Sequence, residues 1–240
     1  MRDLANKTAD PSRTTRPDQG LVRVYVWDLV VRVCHWLVAL SIFVLAFTGY
    51  YLGKPFVAVP GEAGESFVMG NFRAVHYAAA AVFSLAALVR IYWAFLGSLP
   101  ARWPNYLPVT PRRIEESKES LAFYLLLRDR YPPVLGHNPL AGLAYVVVYG
   151  LLVVMIVTGL GIYAASAHHA SPFRLFDFLP DWLGGLQTLR WVHHGVMWLI
   201  LGFFVHHVYS ALLASHVEKN GTLESIFSGF KWVRRDEVDE

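Results

Sequence analysis

The sequence predicts an all-α integral membrane protein, a four-helix bundle with both termini in the cytoplasm. Three observations carry this. Of 240 residues, 55% are hydrophobic and only 16% are charged, with a mean hydropathy of +0.38. Soluble domains usually carry about 25% charged residues. Four apolar stretches are each long enough to cross about 30 Å of hydrocarbon. Lys and Arg gather in alternate connections, the pattern of cytoplasmic loops. The aromatic share of 15%, with 8 Trp, suits belts at the two interfaces.

Residues 1–26 read as a polar cytoplasmic tail, with Pro11, Pro17 and several Arg. No short apolar segment precedes the first span, so no cleaved signal peptide is expected and the first helix directs insertion. The membrane domain is expected over residues 27–216. Its spans run from about Asp28 to Leu52, Ala74 to Leu96, Pro139 to Ala165 and Leu189 to Ser215. All four are helices, because a lone strand leaves its backbone unsatisfied in lipid. The third has no His and no charge, only Gly150, Gly159 and Gly161, and reads as a packing helix. Its entry, His137-Asn138-Pro139, suits a cap with Pro in the first turn. The middle loop, about 97–138, and the cytoplasmic tail, 217–240, suit short amphipathic helices, for instance around Ile114 to Leu127.

Orientation follows from the basic residues. The N-terminal tail holds Arg2, Lys7, Arg13, Arg16 and Arg23. The middle loop holds Arg102, Arg112, Arg113, Lys118, Arg128 and Arg130, and the C-terminal tail Lys219, Lys231, Arg234 and Arg235. The other two loops hold Lys54, Arg73, Arg174 and Arg190. Fifteen against four places both termini and the middle loop in the cytoplasm. The sequence pI near 9.0 and net charge of +3 do not indicate nucleic acid, since the basic residues lie on one side of a membrane. Cys34 is the only cysteine, which excludes a disulfide, an iron–sulfur cluster, a four-thiolate zinc site and covalent C-x-x-C-H haem attachment.

The histidines supply the chemistry. His193 and His207 lie fourteen residues apart on the fourth span. At 100° per residue that is about 1,400°, roughly 40° short of four turns, so the rings share one face about 21 Å apart along the axis. The predicted topology puts His35 in the cytoplasmic half of the first span and His76 near the periplasmic end of the second. Depth then pairs His76 with His193, and His35 with His207. Two stacked imidazole pairs are the axial ligand set for two non-covalent haem b groups, a column that carries electrons across a bilayer. The competing account of an intramembrane His is a buried polar group bonded to a neighbouring helix. Four at matched depths favour ligation, since intramembrane polar residues default to function. His194 and His206 do not share the ligand face and read as bonded polar groups. His168 and His169 read as solvated loop residues, His137 and His216 as interfacial ones.

Arg90, fourteen residues after His76, shares its face at cytoplasmic depth. Arg32, Arg73 and Arg190 each precede a histidine of the ligand set by three residues. All four are candidates to pair with haem propionates, and all four could instead snorkel to the interface. Gly195 and Gly202 would let either a flat macrocycle or another helix approach the fourth span.

Beyond about residue 24 the chain resembles the cytochrome b subunit of membrane-bound nickel–iron hydrogenases. The likeness is carried by Arg32-Val33-Cys34-His35-Trp36-Leu37 running on to Thr48-Gly49-Tyr50, and by Met69 to His76 with Arg90-Ile91-Tyr92-Trp93-Ala94. Gly136-His137-Asn138-Pro139-Leu140-Ala141 and His193-His194, Met197-Trp198, Phe203 and His207-Val208-Tyr209 complete it. Gly195 stands where a bulkier apolar residue is expected. The resemblance implies a partner, the small and large hydrogenase subunits on the periplasmic side, and quinone as electron acceptor. It implies a quinone site beside the cytoplasmic haem, near His137, Asn138 and His207, with nickel and clusters on the other subunits. Two alternatives share the histidines: a stand-alone di-haem quinol oxidoreductase, and the cytochrome b subunit of another periplasmic enzyme such as formate dehydrogenase. A third, a haem-free channel, transporter or anchor, predicts no Soret band. The periplasmic loop from Gly53 to Arg73, with its Gly-Glu-Ala-Gly-Glu run, favours docking to a large partner.

Overall fold

The structure, a computed structural model, describes residues 21–56, 66–98, 101–105, 110–125, 127, 139–168, 171–218 and 221–234. The elements in chain order are β1 (Leu21–Tyr25), α1 (Leu29–Gly53), α2 (Val68–Leu96), α3 (Pro111–Tyr124), α4 (Pro139–Ala164), α5 (Phe178–Trp182), α6 (Leu186–Glu218), α7 (Thr222–Ser228) and β2 (Phe230–Arg234). Short 3-10 turns cover Trp103–Asn105 and Pro172–Phe176. The fold class is all-α, and among the described residues four helices are long and apolar enough to cross a membrane: α1, α2, the Ala141–Ala164 part of α4 and the Leu186–His216 part of α6.

These lengths follow from the solvent. The 25 residues of α1 reach ~37 Å and the 33 of α6 ~50 Å at 1.5 Å per residue, more than the ~30 Å of hydrocarbon. Helices therefore continue into polar sequence. α2 starts at Val68 rather than 74, with the Asn71 amide already bonded to the Phe67 carbonyl at 2.9 Å. On α1 one apolar stripe, Leu40, Phe43 and Phe47, is exposed, as a lipid-facing surface must be. On α2 the stripe Phe83, Ala86, Ala87 and Arg90 is buried. α3 occupies the stretch expected to be amphipathic, with Ile114, Leu121 and Leu125 exposed at helical spacing.

The chain divides into two compact units. The first comprises Met1–Arg32, Tyr92–Val148 and Phe203–Glu240, and the second Val33–Ile91 and Tyr149–Gly202. The first unit contains an element absent from the sequence reading. β1 and β2 pair antiparallel, from Leu21 against Arg234 to Tyr25 against Phe230, inside what read as the two tails. Val22, Val24 and Val26 alternate inward and pack with Trp27, Val31, Ala101, Val233 and Trp93. Trp27 Nε1 donates to Ser225 Oγ at 3.0 Å. The Asp28 carboxylate accepts from Trp93 Nε1 at 2.8 Å and from the Ser98 amide at 3.0 Å. The start of α1 is thus tied to the end of α2 and to α7. Gly229 closes the turn into β2 at φ +85°, where a Cβ would also lie 2.6 Å from the Tyr25 ring and 2.9 Å from the Trp27 carbonyl oxygen. Only glycine satisfies both conditions.

In the second unit the helices meet through aromatic contacts. Tyr51 of α1 stacks on Phe72 of α2, centroids 3.9 Å apart. Tyr77 of α2 meets Tyr163 of α4 edge-on at 5.0 Å. Leu179 and Leu189 pack where Gly161 leaves room, since a Cβ there would sit within about 3 Å of both.

Candidate functional site

His76 and His193 both belong to the second unit, and each sits in the same small constellation. His76 lies near the start of α2. Its Nδ1 is 2.8 Å from Oγ1 of Thr48 on α1. That hydroxyl already donates to the Val44 carbonyl one turn earlier, at 2.7 Å. The next residue, Gly49, lets the ring come so near that a Cβ would stand 3.2 Å from His76 Cε1. His193 on α6 repeats the arrangement. Its Nδ1 is 2.8 Å from Oγ1 of Thr158 on α4, whose hydroxyl donates to the Val154 carbonyl at 2.6 Å. Gly159 follows, with a Cβ there 3.3 Å from His193 Cε1. Both threonines are buried, each 4% exposed.

The chemistry of this donor set suits haem b. An axial imidazole binds iron through one ring nitrogen and anchors the ring through the other. Here Nδ1 of each ring is held by a hydroxyl, which leaves Nε2 for a metal. In a chain whose only cysteine is Cys34, haem is held without covalent attachment.

His35 lies in the second unit, on α1, with its ring edge-on to Trp36 at 5.2 Å. His207 lies in the first unit. Its ring stacks on Phe203, centroids 5.5 Å apart and planes 13° apart, and its Nδ1 is 3.4 Å from the Tyr145 hydroxyl. α6 runs unbroken through His193 and His207, as the fourteen-residue argument requires.

The neighbouring histidines are placed differently. His194 donates from Nδ1 to the Arg190 carbonyl of its own helix at 2.9 Å. Its Nε2 abuts Gly53, where a Cβ would lie only 2.6 Å away. His206 is exposed, with Nε2 3.4 Å from Ser210 Oγ. Among the arginines, Arg90 is 6% exposed, and its guanidinium carbon stands 5.6 Å over the Tyr149 ring. Snorkelling does not describe a side chain so enclosed. Arg73 and Arg190 are exposed. Arg32 donates to the Phe227 carbonyl. His137 and Asn138 lie outside the described residues.

A Cβ at Gly195 or Gly202 would meet no protein atom within 4 Å, and both residues sit about 160–180° around α6 from His193. The glycines that let a histidine ring come close to the backbone are Gly49 and Gly159. Thr48, Thr158 and Tyr145 were missed as partners of histidine. One signal was available: Thr-Gly occurs twice in the chain, at 48–49 and 158–159, each time inside an apolar span.

Relatives align over most of the chain. It is 36% identical over 236 residues to a protein of Bradyrhizobium diazoefficiens, covering 97% of this chain and 94% of that one. It is 34% identical over 231 residues to one of Cupriavidus necator, covering 95% of each. It is 35% identical over 217 residues to one of Escherichia coli strain K12, covering 88% of this chain and 92% of that one. The first two are named probable Ni/Fe-hydrogenase B-type cytochrome subunits, and the third a probable Ni/Fe-hydrogenase 1 B-type cytochrome subunit. With residues 26–229 matching its family pattern, the chain belongs to the prokaryotic cytochrome b561 family.

Proposed function

We propose that this chain is the membrane-anchoring di-haem cytochrome b of a hydrogen-oxidising complex, which accepts electrons from a periplasmic nickel–iron hydrogenase and passes them across the inner membrane to quinone. The observation that carries the reading is the repeated constellation around His76 and His193, two imidazoles anchored at Nδ1 inside apolar helices. His76 and His193 are the proposed axial ligands of the periplasmic haem. His35 and His207, paired by depth in the topology that the basic residues favour, are the proposed ligands of the cytoplasmic one. Bound haem b supplies one-electron redox chemistry at each position. The protein supplies the ligands and a low-dielectric surround. Arg90 supplies a buried positive charge suited to a propionate.

The names of the relatives support the hydrogenase small and large subunits as partners. The distribution of basic residues supports cytoplasmic termini. The quinone site is proposed on the cytoplasmic side, near His207, His137 and Asn138.

Two measurements test this. The purified complex should contain two haem b per copy of this chain by pyridine-hemochrome assay; one or none would end the di-haem reading. His207→Ala should abolish electron flow from H₂ to quinone while sparing H₂-dependent reduction of a soluble dye, because the hydrogen-splitting site lies on another subunit. Equal loss of both activities in an assembled complex would contradict this division of labour.

A further inference from the structure

The anchoring of His76 and His193 has a definite polarity. A threonine hydroxyl has one proton. In Thr48 it is committed to the Val44 carbonyl, and in Thr158 to the Val154 carbonyl, at 2.7 and 2.6 Å. With the proton so placed, the oxygen facing each ring accepts, and the 2.8 Å contact to Nδ1 is a hydrogen bond donated by the ring. A neutral imidazole that carries its proton on Nδ1 has a bare lone pair on Nε2. In that arrangement each ring holds the tautomer that binds a metal through Nε2.

A threonine that bonds back to its own helix is common and by itself says little. Three further facts separate these two. Both oxygens reach across to a histidine on another helix. Both are followed by a glycine that lets the ring approach. The neighbouring histidines are held differently: His194 uses its own helix's carbonyl, His206 is exposed, and Tyr145 stands 3.4 Å from His207.

We propose that Thr48 and Thr158 are positioning residues that fix the tautomer and ring orientation of His76 and His193, and so set the ligand strength at that haem. The proposal rests on the bis-histidine ligation proposed above. A hydrogen bond from Nδ1–H to an acceptor gives the imidazole more anionic character, which favours ferric iron. A hydroxyl is a weaker acceptor than a carboxylate. This pair therefore tunes the centre less negative than a carboxylate–histidine pair would, while still orienting the ring.

The test compares Thr48→Val and Thr158→Val, which keep shape and remove the acceptor, with Thr48→Ser and Thr158→Ser, which keep the acceptor. In the haem-free full-length chain carrying ¹⁵N-histidine in lipid nanodiscs, the His76 and His193 signals should report the Nδ1–H tautomer. The valine variants should convert the affected signal to a tautomer mixture, and the serine variants should not. In the haem-loaded chain, each valine variant should move one of the two haem potentials positive, by threefold to tenfold in the redox equilibrium (~59 mV per tenfold for one electron). Haem retention should fall by about tenfold or more. Serine should restore both. An Nε2–H tautomer in the wild type would overturn the proposal, as would valine variants with unchanged potentials and haem retention. A valine variant that fails to fold leaves the decision to the wild-type tautomer and the serine potentials. A wild-type chain that takes up no haem would end the ligation reading and with it the claim on ligand strength, while the tautomer measurement would still decide whether the threonines fix the two rings.

Discussion

Within single residues, what matters is where a buried polar group spends its hydrogen bonds. Histidine and arginine are costly in hydrocarbon, and spacing along a helix, His193 with His207 and His76 with Arg90, marks them as candidates. Their partners were harder to read, because Thr48, Thr158 and Tyr149 lie on different helices and only packing brings them together; the repeated Thr-Gly was the one signal for two of them. Arg90 shows what packing adds: the sequence left it between propionate pairing and snorkelling, and its burial places it inside the protein. If it faces a propionate, Arg90→Met removes a positive charge that favours ferrous haem. One haem potential should then shift negative, by several-fold up to about tenfold in the redox equilibrium (~59 mV per tenfold), while exposed Arg190→Met moves neither. A redox titration followed at the haem absorption bands decides it, and equal responses of the two variants would remove Arg90 from the site.

At the scale of elements, the four spans were legible because the bilayer leaves helices as the economical way to bury a backbone. Their ends were less so. α2 extends to Val68 and α6 to Glu218, since beyond the hydrocarbon a helix is limited by capping and not by hydropathy. The β1–β2 clasp was not legible. Val22-Arg23-Val24-Tyr25-Val26 alternates over too few residues to compete with the reading of a polar tail, and its partner is at the other end of the chain. The clasp is testable at Gly229, which sits at φ +85°. Gly229→Val should cost at least ~1–2 kcal/mol from the left-handed backbone alone, with the contacts to Tyr25 and Trp27 adding to it. Limited proteolysis should then cut near the C-terminus faster than in Gly184→Val. That glycine is also at positive φ, but a Cβ there meets open space.

For the whole molecule, the clasp constrains topology independently of charge. Strands at 21–25 and 230–234 that share hydrogen bonds must lie on one side of the membrane. The number of crossings between them is therefore even, which four spans satisfy. The basic residues then choose the side. Reporter fusions at both ends should give the cytoplasmic signal. Opposite signals would contradict the sheet, and two periplasmic signals would contradict the charge argument alone.

The same sheet fixes an order of events in biosynthesis. Tyr25 emerges from the ribosome before any span, whereas its partner Phe230 follows the last one. At 5–20 residues per second, roughly 10–40 s of synthesis separate them. Throughout that interval β1 presents an unpaired edge, and the start of α1 lacks its ties to α7. The clasp can close only after every span is made, so it works as a completion mark: a chain cut short before Phe230 still holds all four histidines of the proposed column but cannot fasten its own ends. Such fragments would carry a free strand edge, the feature that invites wrong pairing between chains.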